Sequence, residues 1–573
     1  MTISKTDYIL YRECAKNAWY KIHRPEVYYE SELSEFEKTI IETGNEVELV
    51  ARKLFPGGVL VEGRDEKAQK ETQDLIAKKQ EVIFQPVFVK DGFIAAADII
   101  TFDDKTNTYS LYEVKASNEV KEDVHPYDLA FQANLLRSCG LVIDHIYLIH
   151  LNSEYIRNGE LNIVELFNKD DLTEKINSLC AGVATEMEIA KKYLLSEKEP
   201  EGPCCCLYKG RSAHCTTFKH HNSEVPEYSI HDLSRIGASR PKLAELVDSN
   251  IFHIHEIGDR VKLSPIQQNQ VEAFVSNRPI IKTVEIEEEL ASLVFPLYFL
   301  DYETFPAAIP RFDGFKPYQQ ITFQYSLHVL RDPASELEHS EFLYTAKGDP
   351  SQSLVDSLKK DIGLVGSIIV WNKKFECGRN EELARIIPEA KTFMDNLNSR
   401  VYDLMEIFSK QHYVHKDFRG SASIKKVLPV MVPELSYKEL DIHDGGAASQ
   451  SWNKVVTDAV NEQEGAKIVE NLKVYCGLDT YAMYAIWKEL KNIIDGGNDT
   501  KKQAEEAIAK IIQEMNENNP ATALEVLRVL IRREKEIAGN SFPSEEEIEN
   551  DARKLYEICV GKPYNLVDED NLV

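Results

Sequence analysis

No run of about eighteen apolar residues occurs anywhere in the chain, which excludes an ordinary membrane-spanning helix. The first eight residues, MTISKTDY, have no apolar core behind a basic start and do not read as a secretory leader. A cytoplasmic protein is therefore expected. Positive charge is also scarce: 67 Lys and Arg stand against 95 Asp and Glu, a formal charge of −28. Such a chain does not coat nucleic acid by bulk attraction, although metal ions and a local basic groove can still hold phosphates. Internal repeats are absent. So is the evenly studded cysteine framework of a small secreted domain. Six of the ten cysteines are scattered, Cys14 among them, and four crowd together at Cys204, Cys205, Cys206 and Cys215. In a reducing compartment that crowding points to a metal or iron–sulfur site.

What is present suits packed cores. Hydrophobic residues make up 43% and aromatics 9% of 573 residues, a length that calls for two or three domains. The alternation of helical and strand-like stretches predicts an α/β protein with two separate sheet domains and a helical C-terminal region. Residues 33–54 read as a helix, 81–89 and 93–100 as strands joined by an Asp91-Gly92 hairpin turn, and 109–115 as a third strand. A helix over 126–139 and a strand over 145–151 follow. This first domain spans 1–225, and 226–294 reads as a linker of short helices and turns. A second α/β domain spans 295–494. The Asp495-Gly496-Gly497-Asn498-Asp499 stretch breaks the pattern, and 495–573 reads as charged amphipathic helices, the last opening at Ser541.

Three constellations carry chemistry. Asp98 follows a small apolar strand, and Glu113 and Lys115 share one face of the next. Two carboxylates and an ammonium around one point suit a hard cation and a scissile phosphate. Gln132 lies on the following helix. With these residues the segment resembles the PD-(D/E)XK nuclease superfamily in its RecB-like branch, which includes CRISPR-associated RecB-type exonucleases and the AddB nuclease domain. The resemblance implies a metal ligand on the preceding helix. Gly44-Asn-Glu46-Val-Glu48 puts Glu48 where a histidine is usual, with Glu46 as the alternative. Gln132 matches the branch's later glutamine.

The same branch holds a 4Fe-4S cluster on one early cysteine and three after the nuclease core, and four thiolates are the expected ligand set. Cys14, Cys204, Cys206 and Cys215 fit that outline, with Cys205 as the spare. Zinc is the alternative, with His214 or His220 as further ligands.

In the second half, Asp301 and Glu303 stand at i and i+2 on an apolar strand and face one way. Glu376 follows a buried strand, Ser367 to Val370, near a helix start. Tyr475 and Asp479 are four apart on an apolar-periodic helix. Four carboxylates from three distant segments can cage two metal ions for phosphodiester hydrolysis, with Tyr475 orienting water. This half resembles the DnaQ-like exonucleases of the RNase H-like fold, the DEDD group, in its tyrosine subtype. Glu376 stands where an aspartate is usual. Narrowly, 295–490 is similar to an uncharacterised bacterial domain family found behind RecB-like nucleases.

The resemblances together imply a DNA exonuclease using Mg2+ or Mn2+, acting in DNA repair, recombination or defence against foreign DNA. RNA is the other polymer open to it, and an inactive nucleic-acid-binding assembly subunit is the rival reading. Lys209, Arg211, Lys219 and the His220-His221 pair could touch phosphate beside the cysteines. His412, His415, Arg419, Lys425 and Lys426, with Tyr413 and Phe418, are candidates for a single-strand channel. The C-terminal helices read as a docking or self-association element, or as a solvated appendage.

Overall fold

A computed structural model of the chain describes residues 2–29, 35–518, 527–528, 531, 548 and 550–555. The helix start expected at Ser541 and Cys559 lie outside the described residues. The architecture is mixed α/β, and the described residues form helices and sheets of six, five, three and two strands. No helix among the described residues is long and apolar enough to cross a membrane. The chain divides into two compact units, Met1–Lys282 with Ser292–Trp487, and Thr283–Ala291 with Lys488–Val573.

The six-stranded sheet runs in the order Val59–Leu60, Val82–Phe84, Ile99–Asp103, Thr108–Lys115, Ile143–Leu151 and Phe167–Asp171. Thr108–Lys115 pairs antiparallel with Ile99–Asp103 and parallel with Ile143–Leu151. A parallel pair needs a crossover, and helix His125–Ser138 supplies it while burying most of its length.

Two runs that read as single strands are in fact each divided between two sheets. Residues 81–89 split into Val82–Phe84 and Val87–Lys90, and 93–100 into Phe93–Ala96 and Ile99–Asp103. Val87–Lys90 and Phe93–Ala96 join Ile3–Ser4 in a separate three-stranded sheet. The break follows from local chemistry. Pro86 offers no N–H to a ladder, and Gln85 takes a left-handed φ of 52°. Gln85 N donates to Asp98 O (3.0 Å) and Ala97 N to Pro86 O (3.1 Å) across the gap. Asp98 therefore sits where the chain crosses from one sheet to the other. The Asp91-Gly92 turn forms as expected, with φ of 51° and 83°.

The five-stranded sheet has the order Leu337–Leu343, Gln320–Leu330, Leu297–Pro306, Ser367–Val370 and Val401–Asp403. The first three strands are antiparallel and the last two add parallel. The central strand does not end at Asp301 and Glu303 but continues to Pro306, with a register shift between Glu303 and Thr304.

The two sheet domains are not independent. Ala308 and Ile309, beyond the central strand, pack into one core with Val47, Tyr155 and Phe167. Arg157 donates to the carbonyl of Arg311 (2.8 Å), and Tyr318 Oη donates to Ala116 O (2.7 Å). Helix Gly445–Val456 packs against helix Glu35–Ala51 and against strand Leu297–Pro306.

The short helices expected over 226–294 include Ile230–Asp232, Arg240–Asp248 and Pro265–Ser276, and residues 226–263 build an apolar core on the cysteines, with Ile230, Leu243, Leu246 and Ile254 buried beside Cys14, Cys204 and Cys206. One expectation needs correction. The glycine-rich stretch at 495–499 does not break the chain, because one helix runs from Glu462 to Asn518. Glycine costs a helix about 1 kcal/mol relative to alanine. The two glycines together add about 2 kcal/mol, less than the ~3 kcal/mol of one interior proline.

Candidate functional site

Cys14, Cys204, Cys206 and Cys215 place their sulfurs within 4.8 Å of one another, and Cys14, Cys204 and Cys206 are buried. Cys14 ends helix Lys5–Glu13 and caps helix Ala15–His23, so the first turn of the chain is drawn onto the later segment. Cys205 is exposed and stands outside the four, its thiol donating to Glu13 O at 3.4 Å. Hydrogen bonding from Cys14 pushes the Cys204 thiol down to about 6 and the Cys206 thiol down to about 3. Hydrogen bonding from the other cysteines pushes Cys14 well up, and hydrogen bonding from Cys204 and Cys206 with burial pushes Cys215 up, so the four thiols hold their protons unequally, and the thiolate is the ligating form. Asn222 Nδ2 donates to Cys204 Sγ at 3.6 Å. The histidines offered as zinc ligands do not join the quartet. The His214 ring stacks on Phe218 at 3.5 Å, its Nε2 lies 3.1 Å from Lys209 O, and His220 sits edge-on to Tyr20. Stacking on Phe218 of the small apolar core holds the His214 ring, while His220 is exposed.

The second cluster gathers Glu48, Asp98, Glu113, Lys115 and Gln132 at the sheet crossing. Lys115 Nζ donates to Glu113 Oε1 (2.6 Å) and to Asp128 Oδ2 (2.7 Å). Gln132 Nε2 bridges Glu113 Oε2 (2.7 Å) and Asp128 Oδ1 (2.9 Å). Gln85 Nε2 joins Glu48 Oε1 (2.6 Å) to Asp98 Oδ1 (3.2 Å), and Val114 N donates to Asp98 Oδ2 (2.8 Å). Glu48 is also held by Arg52 (2.6 Å), whereas Glu46 lies in the field of Arg311.

Sequence reading missed Lys5, whose Nζ reaches Glu113 Oε1 at 2.7 Å from the opposite side. Burial raises the pKa of Asp98 and Glu113. Asp128 goes the other way: against its burial, Lys5 and Lys115 hold it well below the usual carboxylate range. Two lysines thus converge on one oxygen, Glu113 Oε1. Lys5→Met would strip a buried carboxylate of one partner, and breaking such a pair costs about 3 kcal/mol or more. Urea denaturation should show that loss; an unchanged midpoint would mean Lys5 is held for some reason other than Glu113.

The third cluster is the most acidic. Asp301 and Glu303 project from strand Leu297–Pro306, Glu376 from the first turn of helix Lys373–Ile386, and Tyr475 and Asp479 from helix Glu462–Asn518. Asn372 caps the Glu376 helix, its side chain accepting from Phe375 N. Glu303, Glu376 and Asp479 are buried. Burial and mutual repulsion push Asp301, Glu303 and Glu376 well above the usual carboxylate range, and burial raises Asp479 to about 6. Glu376 Oε2 has no hydrogen-bond partner. Lys425 opposes this charge, with its Nζ 5.7 Å from the Tyr475 ring centroid and 5.9 Å from that of Tyr437.

Two participants here were not foreseen. Tyr437 Oη donates to Asp479 Oδ1 at 2.6 Å. Cys476 Sγ lies within 4.8 Å of carboxylate oxygens from both Asp301 and Glu303. The channel aromatics are placed differently from expectation. Tyr413 and Phe418 are buried with Phe408, because Trp371, Phe408, Tyr413 and Phe418 form one aromatic cluster. Arg419 is paired with Glu227 at 2.8 Å.

A family model described as a domain of unknown function, DUF2779, matches residues 298–423. The chain is similar to the uncharacterized protein UU173 of Ureaplasma parvum, 28% identical over 220 residues, 34% of this chain and 31% of that protein. It is similar to an uncharacterized MG366 homolog of Mycoplasma pneumoniae, 29% identical over 215 residues, 34% of this chain and 32% of that protein. Uncharacterized protein MG366 of Mycoplasma genitalium is 28% identical over 218 residues, again 34% of this chain and 32% of its own. The chain spans about a third of the length of these curated relatives. No solved structure matches.

Proposed function

We propose that the chain is a metal-dependent nuclease whose hydrolytic centre lies on the five-stranded sheet, in the RNase H-like, DnaQ-like manner. One observation carries the reading: four carboxylates from three distant segments, with Tyr475 among them, converge while repelling one another. Burial of that much like charge is costly unless a cation offsets it. The orphaned Glu376 Oε2 is the acceptor such a cation would satisfy. Mg2+ or Mn2+, when bound, polarises the phosphate and lowers the pKa of the attacking water. Asp301, Glu303, Glu376 and Asp479 are the residues that would hold the ions. Tyr475 and Tyr437 fix the position of water and of Asp479, and Lys425 offsets negative charge developing on the phosphate.

The cysteine quartet suits a 4Fe-4S cluster, with zinc as the alternative, and its role is structural. DNA is the substrate preferred on the strength of the resemblance. In the RecB-like half Glu113 is already taken by Lys5, Lys115 and Gln132. That observation favours a second reading for this half, a nucleic-acid platform whose chemistry is weak or absent.

Strands of DNA and RNA labelled at either end, incubated with Mn2+ or Mg2+, separate the two. Asp301→Ala should remove the product ladder, and Lys115→Ala should leave it in place. A second ladder lost only with Lys115→Ala would restore a hydrolytic role to the first half. Intact substrates with wild-type protein would end the enzyme reading.

A further inference from the structure

We infer that Cys476 is a metal ligand, and that the centre on the five-stranded sheet is a mixed oxygen–sulfur site that takes Mn2+ and thiophilic ions of the zinc or cobalt class in preference to Mg2+. The inference rests on the metal reading of that centre and narrows it to the softer ions. The three ligand atoms closest together there are not all carboxylate. Cys476 Sγ and one oxygen each from Asp301 and Glu303 lie within 4.8 Å of one another. Cys476 is fully buried and forms no disulfide. Its one polar contact is a long one, to the Asp301 carbonyl at 4.0 Å.

A buried cysteine is most often a small apolar filler. A filler has its sulfur among methyl groups, whereas this one lies within 4.8 Å of an oxygen from each of two carboxylates. The helix explains the placement. Cys476 and Asp479 are three residues apart, so both lie on the face turned toward the Asp301 strand. An independent sign of a ligand comes from Glu376. It is 3% exposed, its Oε2 has no hydrogen-bond partner, and its strongest charged neighbours are the same Asp301 and Glu303.

Ligand softness then decides the ion. Magnesium and calcium take oxygen donors and retain water, while thiolate favours zinc and other late first-row ions. Coordination replaces the S–H bond with a sulfur–metal bond, and one proton leaves to solvent per ion bound. No electron is transferred.

Cobalt(II) is the probe, because a thiolate ligand gives it a charge-transfer band in the near ultraviolet that oxygen ligands do not give. Full-length protein stripped of divalent ions is titrated with cobalt as wild type, Cys476→Ser and Asp301→Asn. The cysteine quartet would produce a similar band, so the readout is the difference from wild type. The expected result is loss of one ion's share of the band in Cys476→Ser, and the same loss in Asp301→Asn, which keeps the thiol but loses an oxygen ligand. Cys476→Asp should still bind cobalt at this centre without the band, and it decides the matter if the serine variant fails to fold. A band identical in all proteins overturns the assignment. If manganese binding, read by calorimetry, is then lost in Asp301→Asn, the metal reading survives without Cys476. If neither ion binds here, both fall.

Discussion

Asp301→Asn should lower metal-dependent turnover about a thousandfold and yet raise the melting temperature of the metal-free protein. The first effect follows from losing a ligand that holds the polarising ion; a loss of about 4 kcal/mol of transition-state stabilisation corresponds to about that factor. The second follows from repulsion. Asp301 lies among carboxylates whose pKa values are all raised, and Asp479 moves from 3.8 to about 6. A carboxyl with a raised folded-state pKa binds its proton more tightly when folded. Its contribution to stability is fully present below the unfolded value and is lost as pH rises through the folded value. For Asp479 that window is 3.8 to about 6, and Asp301, Glu303 and Glu376 extend the loss to higher pH. Metal-free wild type should therefore melt lower at pH 8 than at pH 5, and Asp301→Asn should flatten that slope. Thermal melts in chelator across this range measure both. An asparagine variant that melts lower with the slope unchanged would show that the carboxylates do not repel one another in the folded protein.

Cys206→Ser should unfold the segment that the quartet organises. The apolar residues of 226–263 pack on one another, on the cysteines and on Leu207, Phe218, Val271 and Phe274. In small domains a structural metal supplies an apparent ~10–16 kcal/mol, as large as the total stability of many domains. Loss of one of four ligands is expected to release the ion and expose 204–263 to protease, while the two sheets keep their circular dichroism. Cys205→Ser is the matched control, one residue away and outside the quartet. It should leave metal content and melting temperature unchanged. Limited proteolysis with metal analysis reads both variants, and equal sensitivity of the two would remove the quartet's structural role.

Much of this arrangement was legible because it rests on short-range periodicity. Strand alternation places Glu113 beside Lys115 and Asp301 beside Glu303, and helical spacing places Tyr475 over Asp479. The same spacing links Asp128 to Gln132 and could have exposed Asp128 as a member of the first cluster. Other residues carried no local signal. Lys5 reaches Glu113 across 108 positions, and Tyr437 reaches Asp479 across 42. Cys476 looked like one of six scattered cysteines until the helix and the strand were docked. The division of 81–89 and 93–100 between two sheets depends on Gln85 adopting a left-handed backbone, which pattern reading does not register. The glycines after Asp495 misled because a local penalty was taken as decisive against a long run of helix-forming neighbours.

The quartet ties residue 14 to residues 204–215, and a ribosome makes those ends far apart in time. At about 5–20 residues per second, the stretch from Cys14 to Cys215 takes about 10–40 s to emerge. Throughout that interval the N-terminal helix pair exists with its cysteine unshielded and its partner sulfurs not yet made. Any ion the quartet holds is therefore loaded only after Cys215 has emerged, not while the N-terminal helix pair is being made.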